Sequence, residues 1–346
     1  MLLDILEGIF VSRTRGGTAL LTPSVRLDRG LFCSSEVKRS EMDVLREFPV
    51  RKSKKQKQAF RDAVQRELGA LGYSCRVEKG SFGSRNLVAG DSENAKYLIT
   101  AHYDTCAWMP IPNFITPCNL TAFLLCQLMI AVFLILLPVP LGAAVWYFTR
   151  SWDFGFMTWY LAFWLFLLLL LFGPANPHCA NDNTSGVVTV LEIAKSLPKD
   201  QRSKVCFVLF DLEEAGLIGS ASYRKAHKQA IQKQMVLNLD CVGDGDNILF
   251  FPSKKLKKDQ ETLKVLNYCG GRYGKKQISI RTHGFSAYPS DQAGFPYSVG
   301  ICALRKKLGI LYLGRIHTRR DTVLEQTNVN LLRAAIVSMI CCAAVK

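Results

Sequence analysis

Two histidines and five acidic residues stand where apolar runs give way to polar sequence. His102 and Asp104 follow Tyr97-Leu98-Ile99-Thr100, and Asp182 lies in Asn181-Asp182-Asn183 just before a helical pattern. Glu213 and Glu214 follow Val205 to Phe210, Asp240 closes Met235 to Leu239, and His317 follows an apolar stretch through Tyr312 and Leu313. Taken singly, each is a solvated loop residue or a helix cap. Taken together they have the composition of a metal centre: imidazole and carboxylate donors suit Zn²⁺ with one position open to water, and several carboxylates can hold two ions by bridging. Their placement matters as much as their type, because ligand sites of open α/β sheets lie outside the carboxyl ends of the strands.

A sheet is therefore needed to position them. The runs named above, with Val299 to Leu304, read as buried strands, and helical spacing recurs at Lys55–Leu71 (Phe60, Val64, Leu68 and Leu71, ended by Gly72), Ser185–Leu197, Ala215–Gln232 and Asn328–Val345. Strands alternating with helices predict a layered α/β domain around a largely parallel sheet. With 346 residues the chain can build a large core without staples, and 49% hydrophobic content excludes disorder as its main state. Twelve cysteines at this length are too sparse for a disulfide scaffold, and Cys126, Cys206, Cys302 and Cys341 sit in apolar runs, so they read as reduced thiols.

The apolar content is concentrated. No charged residue occurs between Ala107 and Thr149. Leu120 to Phe148 is long enough to cross a hydrocarbon core of about 30 Å. After the turn Arg150-Ser151-Trp152-Asp153, Gly155 to Phe172 supplies a second span flanked by the interfacial residue types Trp152, Trp159 and Tyr160. This reads as a transmembrane helical hairpin, its first helix weakened by Pro138 and Pro140. The opening MLLDILEGIFVSRTRGG carries Asp4 and Glu7 in its apolar run and lacks the pattern of a cleavable signal. The expectation is a multi-pass membrane protein with its catalytic domain in the cytoplasm. The net charge is +16, and the basic runs Arg51–Lys57, Lys254–Lys258 and Arg305–Lys307 read mainly as solvated faces, with anionic headgroups as their secondary use. They are not interleaved with stacking aromatics, which argues against nucleic acid as a partner.

The order of motifs is specific. His102-Tyr103-Asp104-Thr105, Asn181-Asp182-Asn183-Thr184-Ser185-Gly186, the segment Asp211 to Ser220 with its Glu213-Glu214 pair, Asn238-Leu239-Asp240, and His317-Thr318 with Asp321-Thr322 together resemble the M28 family of zinc-dependent exopeptidases. The resemblance runs from about Lys52 onward, apart from the apolar insert. It implies a three-layer α/β zinc-exopeptidase-like domain with a mostly parallel mixed central sheet, made of residues 52–114 and 174–346. Residues 1–51 are then an N-terminal segment and 115–173 the membrane hairpin.

The resemblance further implies two zinc ions held by His102, Asp182, Glu214, Asp240 and His317. Asp182 would bridge them, His317 and Glu214 serving one ion and His102 and Asp240 the other. Glu213 would be the general base, Asp104 would orient His102, and the Asp182–Asn183 peptide would be cis. Gln292 departs from the family's Ser-Asp-His segment in Ser290-Asp291-Gln292. Among the other histidines, His178 reads as structural and His227 as solvated, while His283 is a candidate for pocket lining. The function expected is a membrane-anchored dizinc aminopeptidase or related hydrolase of peptide or amide bonds, able to self-associate through its hairpin. A one-zinc acyltransferase resembling glutaminyl cyclases, or a non-catalytic membrane scaffold, are the alternatives.

Overall fold

Every residue of Tyr97–His102, Val205–Phe210 and Met235–Leu239 is buried, as strands covered on both faces must be. The computed structural model describes residues 47–110 and 113–342. The expected N-terminal segment lies outside the described residues up to position 46. Among the described residues ten strands form one sheet: β1 (Cys75–Lys79), β2 (Arg85–Ala89), β3 (Tyr97–His102), β4 (Val205–Phe210), β5 (Met235–Leu239), β6 (Asn247–Pro252), β7 (Gly271–Tyr273), β8 (Lys276–Ile280), β9 (Ser298–Lys307) and β10 (Ile310–Tyr312). Their order is β1-β2-β4-β3-β5-β9-β6-β8-β7, with β10 paired to β9. The centre, β4-β3-β5-β9, is parallel; the pairs β1–β2, β2–β4, β6–β9, β7–β8 and β9–β10 are antiparallel. The sheet is therefore mixed.

The α-helices among the described residues are α1 (Lys54–Ala70), α2 (Leu120–Leu136), α3 (Val139–Thr149), α4 (Trp152–Phe172), α5 (Gly186–Ser196), α6 (Ile218–Ala226), α7 (Gln260–Asn267) and α8 (Gln326–Cys342). Side chains alternate between the two sheet faces. Ile99, Phe207, Leu237 and Ile301 meet Phe60, Val64 and Leu68 of α1, Val187, Val190 and Leu191 of α5, and Leu332 and Ile336 of α8. Leu98, Val208 and Val236 face the other way, toward Tyr223 of α6 and Phe295. The result is the three-layer arrangement expected. One helical expectation is corrected. Residues 215–232 do not form one helix, because Gly216 and Leu217 take positive φ and delay α6 to Ile218.

The basic run Arg51–Lys57 also departs from its reading as a solvated face. Ser53 and Gln56 form a capping box that starts α1. Helical phase then places Lys57 on the inner face with Phe60, Arg61, Val64 and Leu68. Lys57 Nζ lies 2.7 Å from buried Asp211. Arg51 is fully buried, its guanidinium donating to the carbonyls of Tyr103 and Phe48 and to Thr184 Oγ1. Lys54 and Lys55 remain exposed.

Leu120–Thr149 and Trp152–Phe172 are long and apolar enough to cross a membrane, and their side chains stay largely uncovered by the rest of the chain. The first stretch breaks at Pro138 into α2 and α3, and Trp159 Nε1 donates to the carbonyl of Ile135, one of the acceptors left free at the break. α3 and α4 approach at Gly142 and Gly155: a Cβ on Gly142 would meet the Gly155 carbonyl oxygen at 2.8 Å, and one on Gly155 would meet Trp146 Cβ at 2.8 Å.

Candidate metal centre

Parallel pairing brings the carboxyl ends of β4, β3 and β5 side by side, with His102 in register with Phe210 and Thr100 with Asn238. His102 therefore ends its strand between the loops that carry Glu213 and Asp240. Asp104 joins two of these loops. Its Oδ1 accepts the backbone N–H of Glu213 at 3.1 Å, and its Oδ2 accepts that of Glu214 at 3.2 Å. Its Oδ1 also lies 3.5 Å from His102 Nδ1.

Asp182 precedes α5 and is held from behind. Asp321 accepts the N–H of Asn181 at 2.8 Å on one oxygen and that of Asp182 at 3.0 Å on the other. The flanking asparagines tie this segment to the loop after β5. Asn181 Oδ1 accepts from Gly243, Asn183 Oδ1 accepts from Cys241, and Asn183 Nδ2 donates to the Leu239 carbonyl. The Asp182–Asn183 peptide is cis. Left-handed backbone recurs around the site at Leu212, Cys241 and His317, a conformation that costs a non-glycine residue roughly 1–3 kcal/mol. Each of these residues is next to, or is, one of the candidate donors.

The donor atoms converge. Asp182 Oδ1 lies 3.2 Å from His102 Nε2, and Asp182 Oδ2 lies 3.0 Å from His317 Nε2. His102 Nε2 is 3.7 Å from Asp240 Oδ1, and His317 Nε2 is 3.4 Å from Glu214 Oε2. Two groups of metal-binding composition result, His102–Asp182–Asp240 and Asp182–Glu214–His317, and Cys106 joins the second. Glu213 lies with His102 and Glu214 in a third grouping.

The charge pattern calls for a cation. Burial pushes the Glu213 carboxyl well above the usual range, with Glu214, Asp291 and Asp240 adding repulsion that His102 only partly relieves. Burial and then Asp182 do the same for Glu214. Burial opposes the charge of Asp182, but its bonds to both histidines outweigh this and hold it low. Asp240 Oδ1 and Glu214 Oε1 are buried without a hydrogen-bond partner. A divalent ion would satisfy such orphaned carboxylate oxygens and reverse the repulsion among them, so the donor set fits a metal.

The structure thus brings His102, Asp104, Asp182, Glu213, Glu214, Asp240 and His317 together. It does not bring in the remaining histidines. His178 is exposed, and His283 is exposed with Nδ1 against Thr282 Oγ1. His227 is not solvated: its ring nitrogens contact Glu93 and Glu78 at 2.5 and 2.9 Å, and its ring lies tilted against Tyr223 with centroids 4.2 Å apart. Gln292 is also occupied, accepting from Asn238 Nδ2 at 3.0 Å and donating to the Tyr288 carbonyl at 2.6 Å. Sequence reasoning missed the clamp by Asp321, the loop-joining role of Asp104 and the position of Cys106. Asp291 was noticed only as part of a motif. It is fully buried beside the centre, and burial raises its carboxyl to about 7.

An α/β domain with a buried carboxylate–imidazole cluster at the carboxyl edge of its parallel strands is the class that fold and site define. The model for peptidase family M28 matches residues 168–339, just under half of the chain. The match includes Asp182, Glu213, Glu214, Asp240 and His317, while His102 and Asp104 precede it. Aminopeptidase YwaD of Bacillus subtilis (strain 168) is 41% identical over 75 residues, which are 20% of this chain and 16% of that protein's length. The fold is shared with Porphyromonas gingivalis glutaminyl cyclase, at 17% identity and a TM-score of 0.57 over 89% of this chain and 98% of that one. It is shared as well with a leucine aminopeptidase precursor from Bacteroides thetaiotaomicron VPI-5482, at 15% identity and a TM-score of 0.52 over 88% and 96%.

Proposed function

We propose that this protein is a membrane-anchored, zinc-dependent aminopeptidase using two metal positions, with residues 52–114 and 174–346 as the catalytic domain. The observation that carries the reading is Asp182, whose two carboxylate oxygens face different histidines, with Glu213 beside them. His102 and Asp240 would hold one ion with Asp182, and His317 and Glu214 the other. Zinc, when bound, would lower the pKa of a water toward about 7 and polarise the scissile carbonyl. Glu213 then takes the proton of the attacking water and delivers it to the leaving amine. Burial of its carboxyl favours taking up that proton. Asp104 fixes Glu213 through its backbone N–H.

Glu213→Gln keeps the size of the side chain and removes the base. It is expected to lower kcat on aminoacyl test substrates by about 10²- to 10⁴-fold with zinc content unchanged. Full retained hydrolysis, or purified protein that binds no zinc, refutes the reading.

The second part of the proposal is the membrane. At about 1.5 Å per residue the 21-residue α4 is roughly 31 Å long, close to a hydrocarbon core. The cysteines of the described residues are all free, which suits a cytoplasmic face for the domain. The roots of the hairpin adjoin the centre: Ala107 bridges Ala175, and Met109 N–H donates to the His317 carbonyl at 2.8 Å. This supports a mouth turned toward the bilayer and apolar or lipid-linked substrates. The test replaces 120–172 by a short polar loop. The cut belongs after Asn119, since Ile115 pairs with Leu313. If specificity for lipidated over short soluble substrates is unchanged, the hairpin is only an anchor.

The cyclase-like fold match supports a second reading, an acyltransferase with one zinc. One metal per chain together with cyclisation of N-terminal Gln decides for it.

A further inference from the structure

Cys106 lies four residues beyond His102, in the loop that leads from β3 to the apolar hairpin, and is 1% exposed. Its backbone is fixed from the opposite root of the hairpin, because the Asn176 N–H donates to the Cys106 carbonyl at 3.0 Å. Its sulfur is one of four donor atoms, with those of Asp182, Glu214 and His317, that all lie within 4.8 Å of one another. Glu214 Oε1, in the same cluster, is buried without a hydrogen-bond partner. Around a tetrahedral zinc with Zn–S of about 2.3 Å and Zn–N or Zn–O of about 2.0–2.2 Å, donor atoms are roughly 3.3–3.8 Å apart. The four atoms are thus within a small side-chain adjustment of one coordination sphere.

We propose that Cys106 is a fourth protein ligand to the metal held by Asp182, Glu214 and His317. The inference rests on the metal reading above and goes beyond it, since it makes the two positions unlike. The one served by His102, Asp182 and Asp240 has three protein donors and stays open. The one served by Cys106 is closed, the character of a retaining site. A thiolate donor also selects zinc over the harder magnesium, calcium and manganese ions. Without a cation, burial and the carboxylates of Glu214 and Asp182 keep the thiol protonated. On binding, the sulfur–metal bond forms and the S–H proton passes to solvent.

The experiment uses the full chain in detergent, loaded with zinc for X-ray absorption and with cobalt for optical spectra. Wild type is expected to show a sulfur scatterer at about 2.3 Å and a thiolate-to-cobalt charge-transfer band in the near ultraviolet. In Cys106→Ser both signals vanish, metal remains bound, and affinity at one position falls by at least about tenfold. Metal bound by wild type without sulfur, or a sulfur signal that persists in Cys106→Ser, overturns this proposal and leaves the metal reading standing. Absence of any bound metal overturns both. The wild-type measurement decides even if the variant fails to fold.

Discussion

Asp321→Asn tests whether the proposed metal centre depends on the clamp behind Asp182. Asp321 accepts two backbone N–H groups, from Asn181 at 2.8 Å and Asp182 at 3.0 Å. An asparagine can accept one of them and must turn its own NH₂ toward the other. The loss is one hydrogen bond to a charged acceptor, about 1.5–3 kcal/mol. Without metal that loss is offset, because the Asp321 carboxyl is pushed up to about 7 by burial and then by Asp182, and the amide removes this repulsion. With a cation on Asp182 the repulsion is already relieved, so only the loss remains. The cost should therefore fall on metal affinity, about 10- to 150-fold weaker at roughly 1.4 kcal/mol per decade, while the melting temperature of the metal-free protein changes little. The assay is competition with a chromophoric chelator, run beside thermal unfolding with and without zinc. Zinc affinity within about twofold of wild type would show that the clamp does not position Asp182.

Two further outcomes follow from residues away from the candidate metal centre. Lys57→Met leaves Asp211 buried without its counter-charge, a loss of roughly 3–5 kcal/mol. The lower end is expected because burial already raises the Asp211 carboxyl and protonation can relieve it. Stability should drop with binding to anionic vesicles unchanged; the reverse pattern would restore the surface-patch reading. His227 is raised above its ordinary value by its bond to Glu78, against the effect of burial, with Glu93 adding to the rise. The folded state thus keeps a proton that the unfolded state releases above about 6.5. Its stabilisation is complete below that value and is lost as pH rises through the folded value. The stability gap between wild type and His227→Gln should be wider at mildly acidic than at alkaline pH, and a gap independent of pH refutes the ion-pair account.

The fold was legible at the central strands β3, β4 and β5, which are buried along their whole length. Tyr97–His102 and Val205–Phe210 read as strands because their apolar runs carry no acidic or basic residue before the site residues that follow them. β1, β2, β6, β7 and β8 were not anticipated. Three of them, β1, β7 and β8, carry exposed or half-buried residues, so no continuous apolar run announces them. Lys57 was misread because the charge run was considered without helical phase, although 57, 60, 64 and 68 share a face. His227 and Cys106 were not legible. The first gains its meaning from Glu78 and Glu93, far off in sequence, and the second is one thiol among twelve until the loops meet.

The place of the hairpin in the chain also sets an order of assembly. β3 is flanked by β4 and β5, and both are synthesised after the hairpin. During translation β3 emerges with its two hydrogen-bonding edges bare and must wait for more than a hundred residues before either partner exists. Unpaired edges are templates for wrong pairing, and such distant pairings are slow to form. The apolar hairpin is the next segment to emerge and can close on itself at Gly142 and Gly155 from local contacts alone. If the hairpin inserts as proposed, it holds the nascent β3 beside the bilayer until β4 and β5 arrive. His102 thus waits for its partners at the place where they will be made.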